Sequence, residues 1–232
     1  MRSNQSRTFG FAVLACCALA GIASRAHAQD IEPRAYSNAP VGVNFLVAGY
    51  VYTSGGLSFD SALPVSDPEL STSNAVVAYA RVLDFRGKSA KFDVVAPISS
   101  LSGSADFDGE PLRRDISGLS DPKFRLSVNF FGAPALSLKE FAGFQQDLII
   151  GASLQVSAPA GQYDESRVVN LGTNRWSFKP ELGISKALGR WTLEGMAAVT
   201  LYTDNDDFFR GRTRSQDPLY SLQGHLIYSF RS

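Results

Sequence analysis

Cysteine is scarce in this chain, and the two it has, Cys16 and Cys17, both fall within the first 28 of its 232 residues. Beyond residue 28 no disulfide can form, so backbone ladders and packing must hold the fold. No run of 18 apolar residues follows either, which excludes a membrane-spanning helix. Histidine is limited to His27 and His225. With no G-x-S-x-G elbow and one histidine past the leader, a nucleophile–base pair has little to be built from, and the chain reads as a non-enzyme. The acidic stretches "ADFDGE" (105–110) and "DNDDFF" (204–209) lack the glycine and distal glutamate of a calcium loop. No cofactor or metal is expected. An excess of charge of either sign is absent as well, with 22 basic against 22 acidic residues, so there is no basic footprint for nucleic acid.

What is present begins with an export signal. Arg2 and Arg7 precede the apolar "FGFAVLACCALAGI", and "AHA" ends at Ala28, the spacing of a cleaved secretory leader over residues 1–28. The apolar run is too short to anchor a membrane helix of roughly 20 residues. A lipoprotein leader ending at Cys16 is the alternative, from "VLAC". Loss of Arg2, Arg7 and Arg25, with no acidic residue, leaves a net charge of −3.

The remainder alternates. In "DPKFRLSVNF" (121–130), Lys123, Arg125, Ser127 and Asn129 oppose Phe124, Leu126, Val128 and Phe130, the period of a two-faced strand. Eight such segments recur, at about 43–54, 74–85, 89–99, 120–131, 147–158, 175–186, 190–202 and 218–230. Each is close to the ~9–11 residues that cross a bilayer as a tilted strand. The first, "VNFLVAGYVYTS", is apolar on both faces and has no readable orientation. Residues 55–73, 100–119, 159–174 and 203–217 read as long polar loops, and 86–88 and 187–189 as tight turns. Within 132–146, "ALSLKEFAGF" reads as a short helix. Long loops at one end and short turns at the other describe an outer-membrane barrel.

Aromatic residues sort by height. Phe85, Phe92, Phe130, Phe131, Trp191, Tyr228 and Phe230 fall near the short turns, and Tyr50, Tyr52, Trp176, Phe178, Tyr202 and Tyr220 near the long loops. Two belts match the girdles of a membrane barrel. Phe124, Leu126 and Val128 are then expected to meet lipid. The expected lumen-facing, pore-lining set is Arg81, Lys91, Asp93, Lys123, Arg125, Asp147, Arg175, Lys179, Glu181, Glu194 and His225, lining a polar pore or filling a salt-bridged interior. Pro180 cannot donate to a ladder, so a bulge or bend is expected there. "RGRTR" (210–214) could meet lipid phosphates, although an ordinary exposed loop is the simpler reading.

Several stretches, "EPRAYSNAPVGVNFL", "AVVAYARVLDFRGKSAKFDVVAPI", "GLSDPKFRLSVNFFGAPALSLKEF", "IIGASLQVSAPAGQYD" and "NRWSFKPELGIS", resemble the bacterial meta-pathway of phenol degradation family from about residue 30 to 230. The resemblance implies an outer-membrane barrel of transporter type that passes small hydrophobic or aromatic compounds. It also implies about a dozen strands, against eight visible here, and hence a C-terminally shortened member.

The combined expectation is an all-β, antiparallel transmembrane barrel. It has a signal at 1–28, a periplasmic N-terminal segment at 29–42 and the barrel at 43–232. Its partners are outer-membrane lipid and lipopolysaccharide, the barrel assembly machinery and a small hydrophobic or aromatic solute. A structural barrel with a filled interior and a lipid-modifying enzyme are the alternatives. If eight strands were the whole wall, the first would have to pair with the eighth, since unpaired backbone in hydrocarbon costs several kcal/mol per group.

Overall fold

A computed structural model describes residues 33–56, 65–107 and 110–230. The expected signal peptide lies outside the described residues. Eight strands form one antiparallel, curled, half-barrel sheet: β1 (Asn44–Gly56), β2 (Val65–Phe85), β3 (Lys88–Phe107), β5 (Lys123–Phe131), β6 (Leu148–Ser157), β7 (Ser177–Leu188), β8 (Trp191–Tyr202) and β11 (Leu219–Tyr228), hydrogen-bonded in that order. These are the eight segments that alternate in the sequence. Among the described residues β1 pairs only with β2 and β11 only with β8, so the first and last strands do not join.

Two expected loops are largely strand. β2 and β3 run for 21 and 20 residues, and β4 (Glu110–Leu119) pairs with the far half of β3, Ile98–Phe107. The near half of β3, Ala90–Val95, pairs with β5. β4 and β5 are thus one line interrupted at residues 120–122, where Pro122 has no N–H to donate. These polar extensions have no apolar alternation to announce them. They are held instead by cross-strand hydroxyl pairs such as Thr53–Thr72 (2.6 Å) and Ser100–Ser117 (2.8 Å).

The turns follow backbone chemistry. Arg86 and Gly87 both have positive φ (53° and 77°), as a two-residue hairpin with the right-handed twist requires. At the β7–β8 turn Gly189 supplies the positive φ (65°). The expected short helix is α1 (Leu138–Phe141), started by a capping box between Ser137 and Glu140. A small hairpin, β9 (Asn205–Phe208) and β10 (Arg212–Arg214), occupies the expected 203–217 loop.

Pro180 interrupts the β7–β8 ladder without a bulge. Pairing runs Phe178–Leu201, then resumes at Glu181–Ala198, with the register unchanged. The missing N–H faces a gap in the ladder, and of the bulge or bend expected from sequence the bulge does not form.

The convex face carries the apolar set. Leu126, Leu154, Leu182, Leu193 and Leu222 are all exposed on it. So are Phe92 and Phe124, whose neighbours Lys91 and Arg125 point the other way. The aromatic belts are present at both ends. Trp191, Tyr228 and Phe230 form a chain of rings at 4.8 and 4.9 Å near the short turns, and Trp176 stacks with Phe178 at 6.4 Å near the long loops. Tyr202 has the expected height but the opposite face, because it is the register partner of inward-facing Ser177.

Candidate functional site

The concave face is where the polar residues collect, and a short stretch of chain lies across it. Residues 33–43, just before β1, turn at Arg34 (φ 64°) and pass over β3 and β5–β8. The backbone N–H of Arg34 donates to Glu194 Oε2 at 2.8 Å, and Lys91 Nζ donates to the Ala35 carbonyl. Asn129 Nδ2 donates to the Tyr36 carbonyl (3.0 Å) and Asn38 Nδ2 to the Pro134 carbonyl (3.2 Å). Further on, Val41 N donates to Leu136 O and Gly42 N to Val82 O. This non-periodic segment has no ladder of its own, so strand side chains satisfy its backbone.

Tyr36 is the centre of the arrangement, 3% exposed and packed with Ala133, Ile149 and Met196. Its hydroxyl donates to Glu181 Oε1 (2.9 Å), with Ser153 Oγ at 3.4 Å. The ring lies against Gly151 and Gly183, which are direct register partners on β6 and β7. A Cβ on Gly183 would sit 2.0 Å from Tyr36 Cε2, and one on Gly151 2.5 Å from Cδ1, so neither position admits a side chain. Burial, the largest effect, together with the Glu181 carboxylate holds the Tyr36 phenol well above its ordinary range despite the Ser153 hydrogen bond, and the proton stays available for donation.

Six of the sequence-expected residues meet around this segment. Lys91 and Glu194 hold its backbone, and Ser185 Oγ supports Glu194 at 3.1 Å. Lys179 Nζ lies 3.6 Å from Glu181 Oε2. Arg125 Nε donates to Asp93 Oδ2 at 3.0 Å, between residues that are register partners on β3 and β5. Lys123 also faces inward, beside Val95 and Ser157 in the register. His225 is inward too, opposite Glu194, but its buried Nε2 has no hydrogen-bond partner among the described residues.

Three of the expected residues sit elsewhere. Arg81 is the register partner of Phe92 and shares its convex face, so it is not a lumen residue. Strand β2 has only apolar neighbours on either side of Arg81, and its parity cannot be read without its partner. Asp147 stops short of β6; its side chain is largely exposed and pairs with Lys186, which is on the convex side with Leu193. Arg175 is buried, but beneath the long loops: its guanidinium stacks 4.5 Å over the Tyr202 ring and donates to Gln216. Nearby, Asp121 pins loop 158–174 by accepting from the amides of Gly161 (2.9 Å) and Thr173 (2.8 Å).

The orientation of β1 is now settled by pairing. Leu46 faces Tyr79 and Tyr50 faces Ala75 on the convex side; Phe45, Val47 and Val51 face Ala80, Ala78 and Asn74 on the concave side. The concave face therefore has a polar half over β5–β8 and an apolar half over β1 and β2, with Phe45, Val47 and Val51 exposed. A separate polar hollow of about 350 Å³ lies between the tips of β1–β4, lined by Glu69, Ser71, Ser102, Ser104 and Arg113 among others. Tyr36, Gly151 and Gly183 were not legible as a site. The only trace in the sequence is a glycine at an inward position in each of "IIGAS" and "ELGIS".

Comparison with known proteins agrees with this architecture. The fold is similar to the crystal structure of an outer membrane channel from Pseudomonas putida F1, with a TM-score of 0.61 and 22% sequence identity over 85% of this chain and 71% of that one. The curated proteins give no match. Residues 46–232 match the family model described as "Putative MetA-pathway of phenol degradation", and the chain belongs to that family.

Proposed function

We propose that the protein is an outer-membrane channel of transporter type, with small hydrophobic or aromatic compounds as its solutes. The observation that carries this reading is the division of the sheet: an apolar convex face with aromatic belts at two heights, and a concave face bearing paired charges. A bilayer outside and a polar interior over β5–β8 would suit these two faces, since a charge on the lipid side costs about 2–4 kcal/mol at mid-membrane. Lipid and lipopolysaccharide are the surroundings this implies, and insertion would fall to the barrel assembly machinery. The exposed inner surface of Phe45, Val47 and Val51 supports a solute with an apolar body.

A second reading has its own observation. Residues 33–43 cover the polar half of the concave face, as they would in a filled structural barrel. Conductance of purified protein in planar bilayers separates the two. Steady ion current with ion selectivity set by the inward charges supports the channel; its absence, with an aromatic solute also failing to cross proteoliposomes, leaves the structural barrel.

A further inference from the structure

We propose that the slot holding Tyr36 is a binding subsite for free phenols, and that the Tyr36 side chain is its tethered occupant. A tyrosine side chain is a 4-alkylphenol, and the slot is shaped to that group rather than to a residue in general. Its floor is a bare stretch of backbone at the Gly151–Gly183 pair, one aromatic ring wide. Met196, the register partner of Gly183, adds an apolar wall. At the far end Glu181 Oε1 accepts the hydroxyl at 2.9 Å. A free phenol reproduces every one of these contacts. An unhydroxylated ring would leave the buried Glu181 oxygen without that donor, and an aryl carboxylate would bring a second negative charge against it.

The occupant can leave without breaking the wall. Tyr36 belongs to no strand; around it the segment is held by side-chain contacts from Lys91, Asn129 and Glu194, while the backbone pairs Val41–Leu136 and Gly42–Val82 further along would keep the segment tethered when the ring leaves. A free phenol therefore competes with a tethered one, whose effective concentration is on the order of millimolar for a short tether. Transport use of the slot rests on the channel reading above; the binding itself does not.

The test uses 4-fluorophenol and fluorobenzene as ¹⁹F-NMR probes of the full chain refolded in detergent micelles, with micelles alone as blank. Wild type should bind 4-fluorophenol saturably at about millimolar concentration, and Tyr36→Ala about 10-fold or more tightly, because the competitor is gone. Fluorobenzene should bind Tyr36→Ala about 10-fold more weakly than 4-fluorophenol. Gly183→Ala added to Tyr36→Ala should abolish binding, since the new methyl occupies the floor. If Tyr36→Ala fails to fold, Tyr36→Phe keeps the ring, loses the hydroxyl contact and should yield to 4-fluorophenol at lower concentration than wild type. No saturable binding to wild type, equal affinity for the two probes, or indifference to Gly183→Ala would overturn the inference. Phenol binding without conductance would preserve the subsite and remove the channel; conductance without phenol binding would do the reverse.

Discussion

The ring of Tyr36 lies so close to Gly183 that a single added carbon would come within 2.0 Å of its Cε2. One residue precedes the first strand and the other is in the sixth strand of the sheet order. Their contact couples the segment across the concave face to the wall beneath it.

That coupling makes Gly183→Ala informative. The methyl has no space beside Tyr36, so the ring must move, at about 1–3 kcal/mol for overpacking a fitted site. Denaturant unfolding should show the loss, and limited proteolysis should cut more readily near Arg34. Combining it with Tyr36→Ala should give a loss smaller than the sum of the two single changes. Additive losses would mean the two residues do not share a site.

Asp93 and Arg125 are register partners whose side chains are 14% and 21% exposed. Replacing Arg125 by Met leaves a carboxylate with one fewer partner, at about 3 kcal/mol or somewhat less, given the residual solvent contact. Asp93→Leu in the same chain should recover most of the loss. Equilibrium unfolding of the two variants checks it.

Lys91 and Asp93 face inward and Arg81 faces outward. In a conducting barrel, Lys91→Glu and Asp93→Lys should each shift the reversal potential in a salt gradient. Arg81→Glu should leave it unchanged. Equal shifts from all three would contradict the register described for β2.

Leu126 sits on the convex face between Arg125 and Ser127. Leu126→Arg should destabilise the protein folded in lipid by about 2–4 kcal/mol if the site is near mid-membrane. Ser127→Arg would load the concave side instead and meets crowding rather than hydrocarbon. Folding yields into liposomes, read as heat-modifiable bands, would distinguish them.

The β2–β3 turn places Arg86 at φ 53°, where a long side chain is disfavoured. Arg86→Asn, followed by Gly87, gives the residue pair this turn prefers and should stabilise by about 0.5–1 kcal/mol. Gly87→Ala, at φ 77° with open space around it, should destabilise by about 1 kcal/mol through backbone strain alone. Paired thermal melts would show opposite signs.

Residues 121–130 illustrate how much was determined before folding. Strict alternation of cations and hydroxyls with Phe, Leu and Val leaves one acceptable orientation, because a slip of one residue would exchange the two faces. The same property located seven of the eight wall strands, the 86–87 turn and the belt heights of most aromatics, and it put Lys91, Asp93, Arg125, Lys179, Glu181 and Glu194 on one side; the second tight turn falls at 189–190 rather than at the expected 187–189. Where alternation is missing, only tertiary structure decided. β1 is apolar on both faces, so its orientation came from pairing with β2. Arg81 lies among apolar neighbours, so its face was fixed by Phe92 across the ladder. The serine-rich ends of β2–β4 became strand through hydroxyl pairs rather than periodicity. Tyr36 found its place through a glycine pair formed only when residues 151 and 183 meet across two strands. Periodicity is a local property and is written in the chain; which strands meet, and what lies across them, depends on contacts between residues far apart in it.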